Sequence, residues 1–348
     1  MADKIGNMSD FARIVGLSRP TVAKYFADPT SVRSTTRRLI EDALRVHDFR
    51  PNLFAQSLKR RNPRNIGLVV PHLIDPFYAE VVRRIETTCR EMGYWAIVLS
   101  SHGEPSEETA ALEMLLSLNL AGAIVAPLGH KSNLDLLQKL NKRIELVVLD
   151  ARIGIDAPFV GTDNDQSISM MVDYLCRTGE PPCFMDMPGV NSNAIERREA
   201  YVRAMGRADR TPTVIPVDAD GWNFEAAGFA AANRQIDIGG FPTRTIMCAN
   251  DRIAFGVMAA ACRRGVKIGR TADSDLRVAG HDDHPLSPFS CPGLTTVAQD
   301  YTAIATTSLN LLLAAISDEG LDAGEAPCAD IPEGTALFPA RLIMRESA

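Results

Sequence analysis

Arg19 and Lys24 fall in the first and second turns of a short helical pattern within VGLSRPTVAK, which Ser18 can cap and Pro20 can open. A guanidinium and an ammonium placed together on one small helix are groups for holding a polyanion. A second cationic cluster follows in FRPNLFAQSLKRRNPRN, where Lys59, Arg60, Arg61 and Arg64 surround an otherwise exposed Leu58. An apolar side chain held among cations can wedge between base pairs in a minor groove. A plain basic linker would share that composition. Reaction chemistry has no comparable signature: no G-x-G-x-x-G follows the early strands, and neither G-x-x-x-x-G-K-[ST] nor G-x-S-x-G occurs. Seven Cys without any C-x-x-C pair argue against both a disulfide framework and a thiolate zinc site, and read as reduced thiols.

These cations need a small scaffold. Ser9 can cap a first helix running through Phe11, Ala12, Ile14 and Val15, with Gly16 supplying the turn. The helix after Ser18 has an apolar side of Val22, Tyr25 and Phe26 and stops at ADPT. Ser34 opens a third, with Leu39, Ile40, Ala43 and Leu44 spaced to cover the first two. The spacing of Ala12, Gly16 and Val22 is that of a helix-turn-helix. Pro51 then breaks the chain and Asn52 can cap a stretch to Arg61 that is helical in pattern but too short to be stable without a partner.

From Asn65 the texture changes to apolar strands (IGLVV, YWAIVLS, AGAIVAP, ELVVLD, PCFMDM, PTVIPV, TIMCAN, LRVAG) separated by helical segments such as Tyr78 to Met92 and Ile253 to Arg264. That alternation predicts parallel sheets covered on both faces. The series runs twice, about Ile66 to Asp150 and about Pro182 to Gly280, which predicts two similar lobes with a ligand cleft between them. Charge divides the same way. Residues 1–61 hold 12 Lys+Arg against 6 Asp+Glu, and the remainder 25 against 37, so a module of net +6 precedes a body of net −12. A basic module on an acidic body suits polyanion binding at one end. With 46% hydrophobic and 23% charged residues the chain is an ordinary folded protein, and no apolar run approaches the roughly 18 residues that span a bilayer, so a cytoplasmic location without membrane contact is expected.

The ordered series SDFARIVGLSRPTVAKYF, RPNLFAQSLKRR, NIGLVVPHLIDPFYAEVVRRIE, VGTDN, CANDRIAFGVMAA, VAGHDD, PGLTTVAQD and PARLIMRES resembles the lactose-repressor (LacI/GalR-type) family of bacterial transcription regulators over essentially the whole chain. The resemblance implies an α/β fold with an N-terminal all-α helix-turn-helix module at 1–50, a hinge helix at 51–64 and a two-lobed periplasmic-binding-protein-like domain at 65–348. The N-lobe would take about 65–161 and 293–325, the C-lobe about 162–292 and 326–348. Arg19, Pro20 and Lys24 would face base edges and Ser9, Ser18 and Thr21 phosphates. Arg19 is the strongest base reader, since guanidinium can present a two-pronged donor to guanine, whereas Lys24 suits a phosphate equally well. Leu58 matches the hinge leucine, with Asn52 and Ala55 on the matching hinge helix. Ala27 and Gln56 depart from the usual Asn and Arg, which bears on operator sequence and affinity.

By the same resemblance Asp75, Phe77 and Tyr78 stand at the N-lobe rim, Arg197 is the anchoring arginine (Arg198 if the register slips by one) and Trp222 the stacking aromatic. Asn250, Asp282 and Gln299 add polar groups, and His72 and His102 near the rim could reshape the cleft. Asp163 is placed to fix a hinge crossing or to touch ligand. The G-x-D-D motif accounts for the acids of HDDH and leaves only two His, so neither a metal nor any other cofactor is expected. The implied protein is a homodimeric, ligand-responsive repressor of a pseudo-palindromic operator on double-stranded DNA, not an enzyme, with a sugar or polyol effector; purine-binding relatives use the same cleft. The alternative is a free sugar-binding protein of the periplasmic type. The closing RLIMRESA adds no heptad-bearing tail, consistent with a dimer.

Overall fold

Asn7 Oδ1 accepts the amides of Ser9 at 2.9 Å and Asp10 at 3.0 Å and so starts helix α1 (Met8–Val15). In this computed structural model, which describes residues 7–47, 49, 63–318 and 334–348, the chain divides into two units at Pro63/Arg64. Ser9, expected as the cap, instead lies in the first turn, because Asn7 already satisfies the amides a cap must hold. Gly16, at φ +69°, ends α1 in the left-handed region that glycine tolerates, and its N–H turns back to Ala12 and Arg13. Ser18 caps α2 (Arg19–Ala27) through Thr21 N, and Pro20 occupies the first turn, where no amide is needed. With α3 (Ser34–Val46) these helices enclose Phe11, Ala12, Val15, Val22, Tyr25, Ile40 and Phe49, with the Phe11 and Phe49 rings stacked at 4.5 Å. Leu39, expected to cover this core, is half-exposed at 49% because Ile40 takes the inward position. Asn52, Ala55, Gln56 and Leu58, with Lys59 to Arg61, lie outside the described residues.

The second unit begins with β1 (Asn65–Val70), whose Ile66 to Val70 are all buried, as a strand covered on both faces requires. It is followed by α4 (Pro76–Glu91), β2 (Trp95–Ser100), α5 (Pro105–Ser117), β3 (Gly122–Val125), α6 (Leu134–Asn141), β4 (Glu145–Leu149) and β5 (Phe159–Thr162). These strands form a parallel sheet in the order β11-β5-β4-β3-β1-β2, in which β11 is Thr335–Phe338. One face packs on α4 and on α11 (Tyr301–Asp318) through Phe77, Tyr78, Val81, Ile304 and Leu309; the other packs on α5 and α6 through Leu112, Leu115, Leu137 and Leu140.

The second lobe follows the same logic. Helix α7 (Asn164–Thr178), β6 (Cys183–Met185), α8 (Ser192–Arg207), β7 (Val214–Ile215), α9 (Phe224–Asp237), β8 (Thr245–Cys248), α10 (Asp251–Arg263) and β9 (Arg277–Ala279) build a parallel sheet in the order β7-β6-β8-β9. Strands β10 (Thr296–Ala298) and β12 (Arg341–Ile343) pair antiparallel beside it.

The chain passes between lobes near 162–164, 299–301 and 338–341. Two expected lobe limits therefore move. Residues 293–298 belong with the C-lobe, where Leu294 and Val297 join its core, and 335–338 belong with the N-lobe, where β11 pairs in register with β5. Among the described residues no helix is long and apolar enough to cross a membrane.

Candidate functional site

In open parallel sheets the crevice beyond the carboxyl ends of the strands is where ligands bind. Four side chains here stand at such ends: Asp150 after β4, Met187 after β6, Asn250 after β8 and Asp282 after β9. Asp150 at φ +65° and Asp282 at φ +115° hold backbone conformations that L-residues rarely adopt, and such strain persists only where packing over-determines it. The N-terminal turns of helices supply the rest. Asp75 caps α4 by accepting Phe77 N at 3.1 Å, which sets Phe77 and Tyr78 on the inner side of its first turn. Asn191 caps α8, so Asn193 and Arg197, four apart, share a face. Trp222 and Phe224 enter from the segment opening α9, and Gln299 from the crossing before α11.

All eight expected residues, Asp75, Phe77, Tyr78, Arg197, Trp222, Asn250, Asp282 and Gln299, line one cleft of about 350 Å³, part of it open to solvent. Asp150, Met187, Asn191, Asn193 and Phe224 line it too and were missed; the strand-end rule was the available signal for Asp150 and Met187. Arg198 pairs with Asp186 at 3.1 Å, and of the two arginines Arg197 is the one in the lining. Asp163 caps α7 through Gln166 N and is not part of the lining. The His72 ring lies 5.7 Å from Trp222 and 6.1 Å from His102.

The lining is rich in acceptors held by cross-links. Arg197, buried, donates to the Ala249 carbonyl at 2.8 Å, to Asn164 Oδ1 at 3.2 Å and to Asp282 Oδ1 at 3.1 Å. Gln299 Nε2 at 2.7 Å and His281 Nδ1 at 2.8 Å close on the same Oδ1. Burial opposes charge on Asp282, but the Arg197 guanidinium and these donors hold its carboxyl below the usual range. Burial drives His281 down to about 4; a neutral ring beside a carboxylate that only accepts must carry its proton on Nδ1. Burial pushes the Asp150 carboxyl up to about 6, although the Tyr78 hydroxyl donates to it at 2.6 Å. His284 instead takes Leu286 N on its ring and packs against Phe255, and among the described residues no group of three or more His, Cys, Asp or Glu could hold a metal ion.

On the first unit Arg19, Pro20 and Lys24 are exposed on α2, and neither cation is in a salt bridge among the described residues. Pro20 and Lys24, four apart, lie opposite buried Val22. Ser9 is exposed, whereas Ser18 and half-buried Thr21 already bond each other at 2.8 Å.

A helix-turn-helix unit and a two-lobed α/β cleft on one chain define a ligand-responsive transcriptional regulator. Residues 63–321 match the family described as periplasmic binding proteins and sugar binding domain of LacI family, and the chain belongs to that family. It is similar to the HTH-type transcriptional regulator PtxS of Pseudomonas aeruginosa, 27% identical over 345 residues that cover 98% of this chain and 95% of that protein. The HTH-type transcriptional repressor CytR of Escherichia coli is 26% identical over 347 residues, with the same coverage. Among solved structures, a Lac repressor dimer bound to operator and the anti-inducer ONPF shares the fold, with a TM-score of 0.80, 22% identity and 98% of each chain covered. These relatives are regulators of transcription.

Proposed function

We propose that the protein is a homodimeric, cytoplasmic repressor that reads a pseudo-palindromic operator through its N-terminal unit and is controlled by a neutral sugar or polyol in the cleft. Arg19 and Pro20 meet base edges, Lys24 a base or a phosphate, and Ser9, Ser18 and Thr21 phosphates; Asn52, Ala55 and Leu58 serve the hinge at 51–64, between a reading module at 1–50 and the effector domain from 65. The carrying observation is the lining itself: three carboxylates, Asp75, Asp150 and Asp282, against the single guanidinium of Arg197, beside the Trp222 and Tyr78 rings. Carboxylates accept paired hydroxyls in charge-assisted bonds, and an aromatic face takes the C–H side of a ring. Arg197 is already paired with Asp282 and Arg252 with Asp75, so among the described residues the lining offers no unpaired cation to a sugar phosphate.

The test is a thermal-shift screen of neutral sugars, polyols, sugar phosphates and nucleobases. At 100-fold excess over Kd a bound effector stabilises the native state by about 2.7 kcal/mol. A neutral sugar or polyol is expected to raise Tm, Arg197→Ala to abolish the shift while operator binding persists, and Leu58→Ala to do the reverse. A response confined to phosphates or nucleobases overturns the effector class. A free sugar-binding protein has no use for an exposed Arg19, Pro20 and Lys24 face, and binding to duplex DNA that weakens with salt separates the two readings. Turnover of the bound sugar would make the protein an enzyme; none is expected.

A further inference from the structure

Arg252, in the first turn of α10, does not line the cleft, yet it touches three residues that do. Its Nη1 donates across the cleft to Asp75 Oδ2 at 3.1 Å, its Nη2 to the Trp222 carbonyl at 3.0 Å, and its Cζ lies 4.9 Å from the centre of the Phe224 ring. Glu225, on its own lobe, grips the guanidinium from behind, at 2.7 Å to Nε and 2.8 Å to Nη2. That two-point grip fixes the plane of the fork and leaves Nη1 aimed at the other lobe. Among the described residues Arg252 to Asp75 is the one ion pair between the lobes, with both side chains only 12% exposed. The Asp75 oxygens are thereby both oriented, Oδ1 by Phe77 N and Oδ2 by Arg252.

Trp222 completes the junction. It packs against the apolar cores of both lobes, and its pyrrole edge lies so close to Gly103 of the N-lobe that a Cβ there would sit 2.2 Å from Cδ1. Among the described residues its indole N–H is buried without a partner. An unpaired buried donor gains a partner on release to water, so other contacts must hold the ring in place. The bond from Arg252 to the Trp222 carbonyl and the ion pair across the cleft are the groups positioned to do so.

We propose that Arg252 is a positioning residue that latches the lobes together and so aims Asp75 and Trp222 into the cleft. Its importance for an effector rests on the reading of that cleft given above; the latch itself does not. An effector that bonds Asp75 and covers Trp222 would then be held in full only by the closed arrangement.

The test needs no effector. In full-length Trp95→Phe protein Trp222 is the sole tryptophan, so acrylamide quenching reports its shielding directly. Arg252→Met is expected to raise the quenching constant about twofold or more and to red-shift the emission, because release opens the ring to water. Arg252→Lys keeps the charge but not the fork and should fall between. Asp75→Asn, on the opposite lobe, should act in the same direction, and in the double variant the two effects should not add. If Arg252→Met does not fold, Asp75→Asn decides the matter alone. Lowered Tm with unchanged Trp222 quenching in these variants overturns the latch and leaves Arg252 a packing residue. A sugar screen without hits, alongside opened Trp222, would sink only the effector reading.

Discussion

Asp150 concentrates the cost of the cleft in one residue. Burial raises its carboxyl from 3.8 to about 6, so the folded protein binds that proton more tightly than the unfolded chain. Stability from this group therefore falls as pH rises through that window: the penalty is absent below the unfolded value and complete above the folded one. Two pKa units correspond to about 3 kcal/mol. Asp150→Asn keeps an acceptor for the Tyr78 hydroxyl and removes the titration, so its stability relative to the parent protein should rise by about 2 kcal/mol between pH 4 and pH 7, read from guanidinium unfolding at intervals across that range. Asp251, pushed by burial up to about 8, and His281 titrate in both proteins and cancel in the difference. A difference that stays flat across the range would remove the assigned role. The same substitution should weaken sugar binding, because a charged acceptor is replaced by a neutral amide.

At the scale of elements, the C-lobe depends on how closely α9 and α10 approach. A Cβ on Gly256 would meet Glu225 O at 2.3 Å and Phe229 N at 2.5 Å, and one on Gly228 would meet Ile253 O at 2.4 Å. These are backbone atoms that cannot swing aside. Alanine gains about 1 kcal/mol in helix propensity, but overpacking of this kind costs about 1–3 kcal/mol, and with two backbone clashes the upper end applies. Gly256→Ala should therefore lower the guanidinium midpoint with unchanged slope, and a neutral or raised midpoint would show that the helices can separate freely. Nothing in DRIAFGVM distinguishes that glycine, since two helices must be docked before the approach is visible. The strands were legible because buried parallel strands write themselves as unbroken apolar runs, as in NIGLVV and TIMC. Ser9 misled because Asn7 lies only two residues earlier and is an equally good cap. The lobe limits at 293–298 and 335–338 were hidden for a different reason: both are short strands that pair with partners far along the chain, and pairing leaves no local mark. The family resemblance brought Arg197, Trp222 and Asp282 together, whereas Arg252 emerged only from its contact with Asp75, 177 residues away in sequence.

At the scale of the whole molecule, charge and ligand chemistry sit on separate units. Residues 1–61 carry net +6 and the remainder −12, so attraction to phosphates must come from the first unit against repulsion from the second. A fragment of residues 64–348 forms a compact unit with its own cores and should keep the full thermal shift with a sugar while losing DNA binding. DNA binding by that fragment equal to the intact chain would contradict the division of labour. The proposed dimer makes a stricter demand. A module that reads a duplex chiefly through Arg19 and Lys24, as proposed, has few side chains to offer it, and it gains from a second only when both half-sites can be reached at once. Half-sites should then lie one helical turn, about 34–36 Å, apart on the same face of the DNA. Inserting about 5 bp between them turns one half-site to the opposite face, and the linked pair should lose on the order of 100-fold in affinity, towards that of an isolated half-site. Inserting about 10 bp restores the face but lengthens the span, so recovery should be partial. Gel-shift titrations at one salt concentration, with the parent operator and both insertions, measure this directly. Equal affinity for all three would mean that the modules read DNA singly and that a ligand in the cleft has no spacing to control.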